Sequence, residues 1–152
     1  MHVGLCFNTA HLPDWTWEAV LNGTVPLSGT DGSVLRVTHE IASASPFRVT
    51  LLTSPHRSTP GTGPVSWATV QSLSHAVGYA DAEGIDVLVF NNDNRLDIDK
   101  GLEHAERTSQ SCIVWCHNGP TVEAARRYAA SPAVKRVICV SHPHADVYRD
   151  EG

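Results

Sequence analysis

Ser111-Cys112-Ile113-Val114-Trp115-Cys116-His117-Asn118-Gly119-Pro120 is the stretch that decides the fold. Its first six residues are rich in β-branched, aromatic and thiol side chains, as suits a strand buried in a sheet. The run then breaks into a polar cluster, and Pro120–Ala130 carries a helical pattern. The unit is followed by another of the same kind. Arg136-Val137-Ile138-Cys139-Val140 is a second apolar run, closed by Ser141-His142-Pro143-His144, with a helix predicted over His144–Asp150. Two strand–helix units in succession, each with polar residues after its strand, predict parallel strands whose carboxyl ends carry a site.

Working toward the N-terminus, the alternation continues. Strands are predicted at His2–Phe7, Phe47–Leu52, Val65–Val70 and Asp86–Phe90, and helices at Ser33–Ala44, Ser72–Glu83 and Ile98–Thr108. The fold class is therefore α/β: one doubly wound parallel sheet covered by helices on both faces, in a single domain of 152 residues. His2–Phe7 belongs at the centre. Val65–Val70 is short and more polar, and belongs at an edge. Ser72 reads as an N-cap, Gly84 as a helix stop and Pro120 as a first helical residue. The connection from Asn8 to Gly32 is far longer than usual, and such loops are often functional. It holds Trp15 and Trp17, and Pro13–Leu21 fits a short helix capped by Asp14.

Composition narrows the partners. A net charge of −5 argues against a nucleic-acid surface, which needs excess Lys and Arg. There is no apolar run long enough for a transmembrane helix. Met1-His2-Val3-Gly4-Leu5-Cys6-Phe7 reads as a first strand rather than a signal peptide, so the cytoplasm is the expected location. The four cysteines, Cys6, Cys112, Cys116 and Cys139, lie in predicted strands without Cys-x-x-Cys spacing and read as buried thiols. His142 and His144 have a tempting spacing, but no third ligand is marked, so no metal is expected.

Several residues have the right chemistry for a site. Gly29-Thr30-Asp31-Gly32-Ser33 precedes the first predicted helix, where glycine lets a ligand approach the backbone and helix N–H groups attract anions. It reads equally as a plain turn. His117 and Asn118 follow a core strand just before a helix, where α/β folds hold ligands. Asn91-Asn92-Asp93-Asn94-Arg95-Leu96-Asp97 follows another core strand, beside the first strand's loop, so that Asp93 reads as a residue of an acceptor pocket or simply of a turn. Trp15 reads as a platform for a ring or as packing.

The order of these units resembles the first domain of GT-B glycosyltransferases, of the large retaining group 1 (family-four) type. The likeness rests on the first strand, the Gly29–Gly32 turn, Arg48-Val49-Thr50-Leu51-Leu52, the strand ending in His117, and the strand ending in Val140-Ser141 before a helix with Tyr148-Arg149. It implies a Rossmann-like, acceptor-side domain of an enzyme that moves a sugar from a nucleotide sugar to an acceptor hydroxyl with retention. His117 would line the transfer site, Gly29 and Gly32 would face the donor diphosphate, and Asp31, Trp15, Asp93, Asn118 and Ser141 would line the cleft. The nucleotide sugar is substrate, with no cofactor or metal. The other partners are an acceptor glycan or small molecule and a C-terminal donor-binding domain, which lies outside this chain. Adjacent glycines, common in that family's turn, are replaced here by Gly29-Thr30-Asp31-Gly32. One rival is a stand-alone nucleotide- or partner-binding module without catalysis. A receiver domain is disfavoured because Asn8-Thr9-Ala10 stands where an acidic pair is needed. A dehydrogenase is disfavoured because Gly-x-Gly-x-x-Gly is absent.

Overall fold

The computed structural model describes residues 1–54, 63–92, 96–118 and 121–151. Its strands are β1 (His2–Cys6), β2 (Arg48–Thr53), β3 (Ser66–Thr69), β4 (Val87–Asn91), β5 (Ser111–Cys116) and β6 (Val134–Cys139). The helices are α1 (Trp17–Asn22), α2 (Gly29–Ala44), α3 (Leu73–Glu83), α4 (Ile98–Thr108), α5 (Val122–Ala130) and α6 (His142–Glu151). All six strands are parallel, in the order β3-β2-β1-β4-β5-β6. This is the Rossmann-like doubly wound arrangement expected from the alternation. β1 is central with every residue buried, and β3 is an edge.

Helix starts follow local hydrogen bonding more than propensity. α2 begins at Gly29, four positions earlier than the sequence pattern predicts, because Ser28 caps it. The Asp31 N–H donates to Ser28 Oγ at 3.1 Å, and Ser28 Oγ–H donates back to Asp31 Oδ2 at 2.7 Å. This reciprocal cap outweighs the poor helix propensity of two glycines. Thr121 caps α5 by accepting the Ala124 N–H at 3.1 Å, while the predicted start at Pro120 lies outside the described residues. The long first connection does contain a short helix, but Thr16 caps it rather than Asp14. Ser72 caps α3, and Gly84 ends it at φ 63° in the left-handed region that glycine tolerates.

Two hydrophobic cores flank the sheet. On one face, α3, α4 and α5 cover Leu88, Phe90, Cys112, Val114 and Cys116. On the other, α1 and α2 cover Leu5, Phe7, Val49 and Leu51. Two-sided cover, expected throughout, stops short of β6. Right-handed crossovers put α2 over the β1–β2 half and carry the connections toward β6 along the opposite face. The α2-facing side therefore thins out, leaving Ile113 and Trp115 half-buried and Ile138 46% exposed.

Candidate functional site

The strand order reverses between β1 and β4, so loops leaving their carboxyl ends diverge and open a crevice. The loop after β1 is anchored first. Asn8 Oδ1 accepts a hydrogen bond from Ser54 Oγ at 2.7 Å, and the buried Thr9 hydroxyl pairs with Thr53 Oγ1. These bonds fix the path that delivers His11. Its ring meets Phe7 edge-on at 6.4 Å, and its Nε2 lies 3.2 Å from Asp31 Oδ1 in the first turn of α2.

Asp31 is 7% exposed, and both of its carboxylate oxygens are engaged, by His11 and by Ser28. The amino end of α2 thus carries its own carboxylate, where the helix dipole favours one. Gly29 and Gly32 lie in the same turn. A Cβ would meet nothing within 4 Å at Gly29, and nothing nearer than Leu27 Cβ at 3.8 Å at Gly32. Packing therefore does not require either glycine. The Gly32 N–H is committed to Ser28 O at 2.9 Å.

β4 and β5 supply the opposite wall. Pleat alternation turns Leu88 and Phe90 toward α3 and α4, and so turns Val89 and Asn91 toward α2. Asn91 stands in register with Trp115 of β5. It is 2% exposed, and neither its Oδ1 nor its Nδ2 has a hydrogen-bond partner. Two residues beyond Trp115, His117 lays its ring against the indole at a centroid distance of 4.6 Å. The His117 Nε2 is buried and also unpartnered. Burial lowers the His117 pKa below the ordinary histidine range, and the nearby Asp31 charge partly opposes this. Neutral imidazole is the form this position favours, able to donate from one nitrogen and accept at the other.

The structure thus brings His117, Asp31, Gly29 and Gly32 to one corner of the sheet edge. Asn118 and Ser141 are exposed at the same edge, after β5 and β6. Trp15 is elsewhere in character: it is 5% exposed, packs edge-on against Trp17 at 5.0 Å, and belongs to the α1–α2 core. Asp93 lies outside the described residues. Asp97, from the same segment, caps α4 by accepting the Lys100 N–H at 3.1 Å. Sequence reasoning passed over His11 and gave Asn91 no role of its own. An asparagine ending Val87-Leu88-Val89-Phe90 reads as a strand stop, and only the pleat phase reveals which core it enters. No signal in the sequence pairs His11 with Asp31, twenty positions away.

A second opening lies on the other face of the same edge, between the amino ends of α4 and α5. This cavity of about 590 Å3 is lined by Asn92, Asp97, Asp99, Glu123, Arg127 and Tyr128, among others. Its Arg127 is held by Glu106 Oε1 at 2.8 Å. Among the described residues no group of histidine, cysteine or acidic side chains is arranged to hold a metal. Comparison of the chain with protein-family models, curated proteins and solved structures finds no match.

Proposed function

We infer that this domain is the acceptor-side half of a glycosyltransferase that moves a sugar from a nucleotide sugar to an acceptor hydroxyl with retention. The observation that carries the reading is the corner at the strand-order reversal. There a histidine after β5 and a buried, unpartnered amide at the end of β4 face the amino end of the first long helix. Hydrogen-bonding groups held by core strands are preorganised, and so act on a developing charge without reorganising. In this reading His117 contacts the transferred sugar, Asn91 and Asn118 line the acceptor side, and Ser141 lies toward the donor-binding half. The chain's own residues position the reactants and exclude water. A second domain supplies most contacts to the donor nucleotide.

Calorimetric titration of UDP-, GDP- and ADP-glucose into this chain tests the division of labour. Dissociation constants of about 1 mM or weaker are expected, equivalent to about −4 kcal/mol. Micromolar binding would overturn the reading in favour of a self-contained nucleotide-binding module. In the enzyme that contains both halves, His117→Ala should lower turnover roughly 10²-fold, the usual scale for losing one preorganised donor. Unchanged turnover with an unchanged melting curve would make His117 structural.

A further inference from the structure

The register of β5 with β6 sets Cys116 directly opposite Cys139. Both are thiols, and the pleat turns both toward the α3–α5 face, in phase with Val114 and Val137. Register partners on neighbouring strands sit one strand spacing apart, about 4.8 Å. Disulfides join Cα atoms roughly 4.4–6.8 Å apart, so this pair is within bridging reach. The other cysteines are not. Cys112 is four positions from Cys116 on the same strand, about 13 Å away. It stands opposite Val134, far along β6 from Cys139. β4 separates Cys6 on β1 from β5, which puts at least two strand spacings, about 10 Å, between Cys6 and any other thiol.

The same geometry makes a bridge easy to open again. Side chains on parallel neighbours point the same way, so their Cβ atoms stay about one spacing apart, where a relaxed disulfide wants roughly 3.5–4.5 Å. Closure must draw the strand ends together, and strained bridges are readily reduced. β6 is free to make that movement. It is an edge strand with one neighbour, and its α2-facing side is uncovered at Ile138, 46% exposed.

We propose that Cys116 and Cys139 form a reversible oxidation site, closed to a disulfide by a hydroperoxide and reopened by a thiol. Cys139 reacts first, because it is partly exposed whereas Cys116 is 0% exposed. With hydrogen peroxide, the Cys139 sulfur attacks one oxygen. The S–O bond forms, the O–O bond breaks, and the departing hydroxide leaves with the thiol proton as water. The Cys116 sulfur then attacks the Cys139 sulfenic acid. The S–S bond forms, the S–O bond breaks, and the hydroxide leaves with the Cys116 proton as a second water. Two thiols lose two electrons, and the peroxide gains them. The proposal uses strand register alone and does not depend on the sugar-transfer reading. The closed bridge ties together the strand ends that lead into His117 and Ser141.

The test treats this folded chain with hydrogen peroxide, blocks remaining thiols with N-ethylmaleimide in denaturant, and maps tryptic peptides without reduction. Burial raises the Cys139 thiol pKa, so the reaction is run at about pH 8.5, where an ordinary thiol is half ionised. Two of the four thiols should disappear, with the peptide from Thr108 to Arg126 joined to that from Val137 to Arg149. Cys139→Ala, at a partly exposed position, should abolish the link. Cys112→Ala should keep it, which assigns the bond to Cys116. Reduced glutathione should restore all four thiols. In urea, where register is lost, the links should become a mixture that includes Cys6. The proposal is overturned if Cys139 oxidises to sulfinic acid without linking, or if the link runs through Cys112 or Cys6 in the folded chain. It is also overturned if folded and urea-unfolded chains give the same mixture, or if the link resists glutathione.

Discussion

Two glycines in helices show how one residue type serves opposite ends. At Gly101 in α4, a Cβ would lie 2.7 Å from Leu73 Cβ and 3.2 Å from Leu73 Cδ1, where α4 packs on α3. A Cβ of the facing helix cannot swing aside, so Gly101→Ala should destabilise by about 1–3 kcal/mol despite alanine's better helix propensity. Gly32 has room for a methyl group, so Gly32→Ala should stabilise α2 by up to about 1 kcal/mol. Urea denaturation of both variants reads the two signs, and equal signs would contradict this account of the packing. The His117–Trp115 contact offers a second residue-scale measurement. Protonated imidazole quenches indole, so Trp115 fluorescence should fall as pH drops, with a midpoint below 6.5 because burial lowers the His117 pKa. Asp31→Asn should move that midpoint lower still, since the Asp31 charge opposes the shift. A Trp115→Phe control isolates the signal from the other tryptophans, and a midpoint above 6.5 would mean that His117 is more solvated than described.

The pairing of α4 with α5 is an element-scale device. Glu106 Oε1 on α4 accepts from Ser131 Oγ at 2.6 Å, just past α5, and from Arg127 Nη1 at 2.8 Å. The Ser131 hydrogen bond first, and Arg127 second, hold the Glu106 carboxyl below the usual glutamate range. A depressed carboxylate pKa means that the unfolded state binds the proton more readily. The stabilisation is therefore full above the unfolded-state glutamate pKa and is lost as pH falls through the lower folded value. Glu106→Gln should cost about 1 kcal/mol near neutral pH, and its melting temperature should converge on that of wild type in acid. A constant gap between the two across the acid range would show that the carboxylate charge contributes nothing.

At the scale of the whole molecule, the two cores share one sheet but not one set of reporters. Trp15 and Trp17 are buried in the α1–α2 core, and Trp67 and Trp115 pack against it. Tryptophan fluorescence therefore follows that face alone, while far-UV circular dichroism follows α3, α4 and α5 as well. The central strands β1 and β4 lend residues to both cores, so neither core can come apart without the other. The two probes should give coincident urea transitions, as a two-state domain requires. An earlier fluorescence transition would show that the α1–α2 side opens on its own.

The sequence by itself determined the architecture, because apolar runs and helical periods are local patterns and their nearly strict alternation leaves few topologies. From Ser111–Cys116 outward, each predicted strand and helix exists, with the ends of β2, β4, β6 and α6 displaced by a residue or two and the start of α2 moved four positions earlier by its Ser28 cap. His117 was legible for the same reason: it ends a core strand just before a helix, and in a parallel sheet such positions gather at one edge. The tertiary structure alone decided what surrounds it. Trp15 read as a ring platform or as packing, and the fold decides for packing, since its partner is Trp17 in a closed core. Asn91 read as punctuation, but the phase of the β4 pleat turns its amide inward beside Trp115. The Asp31–His11 pair joins segments with no shared local pattern. Contacts between distant segments depend on crossover paths and side-chain phase, which no local period encodes, so the chemistry of the corner emerged only from the folded chain.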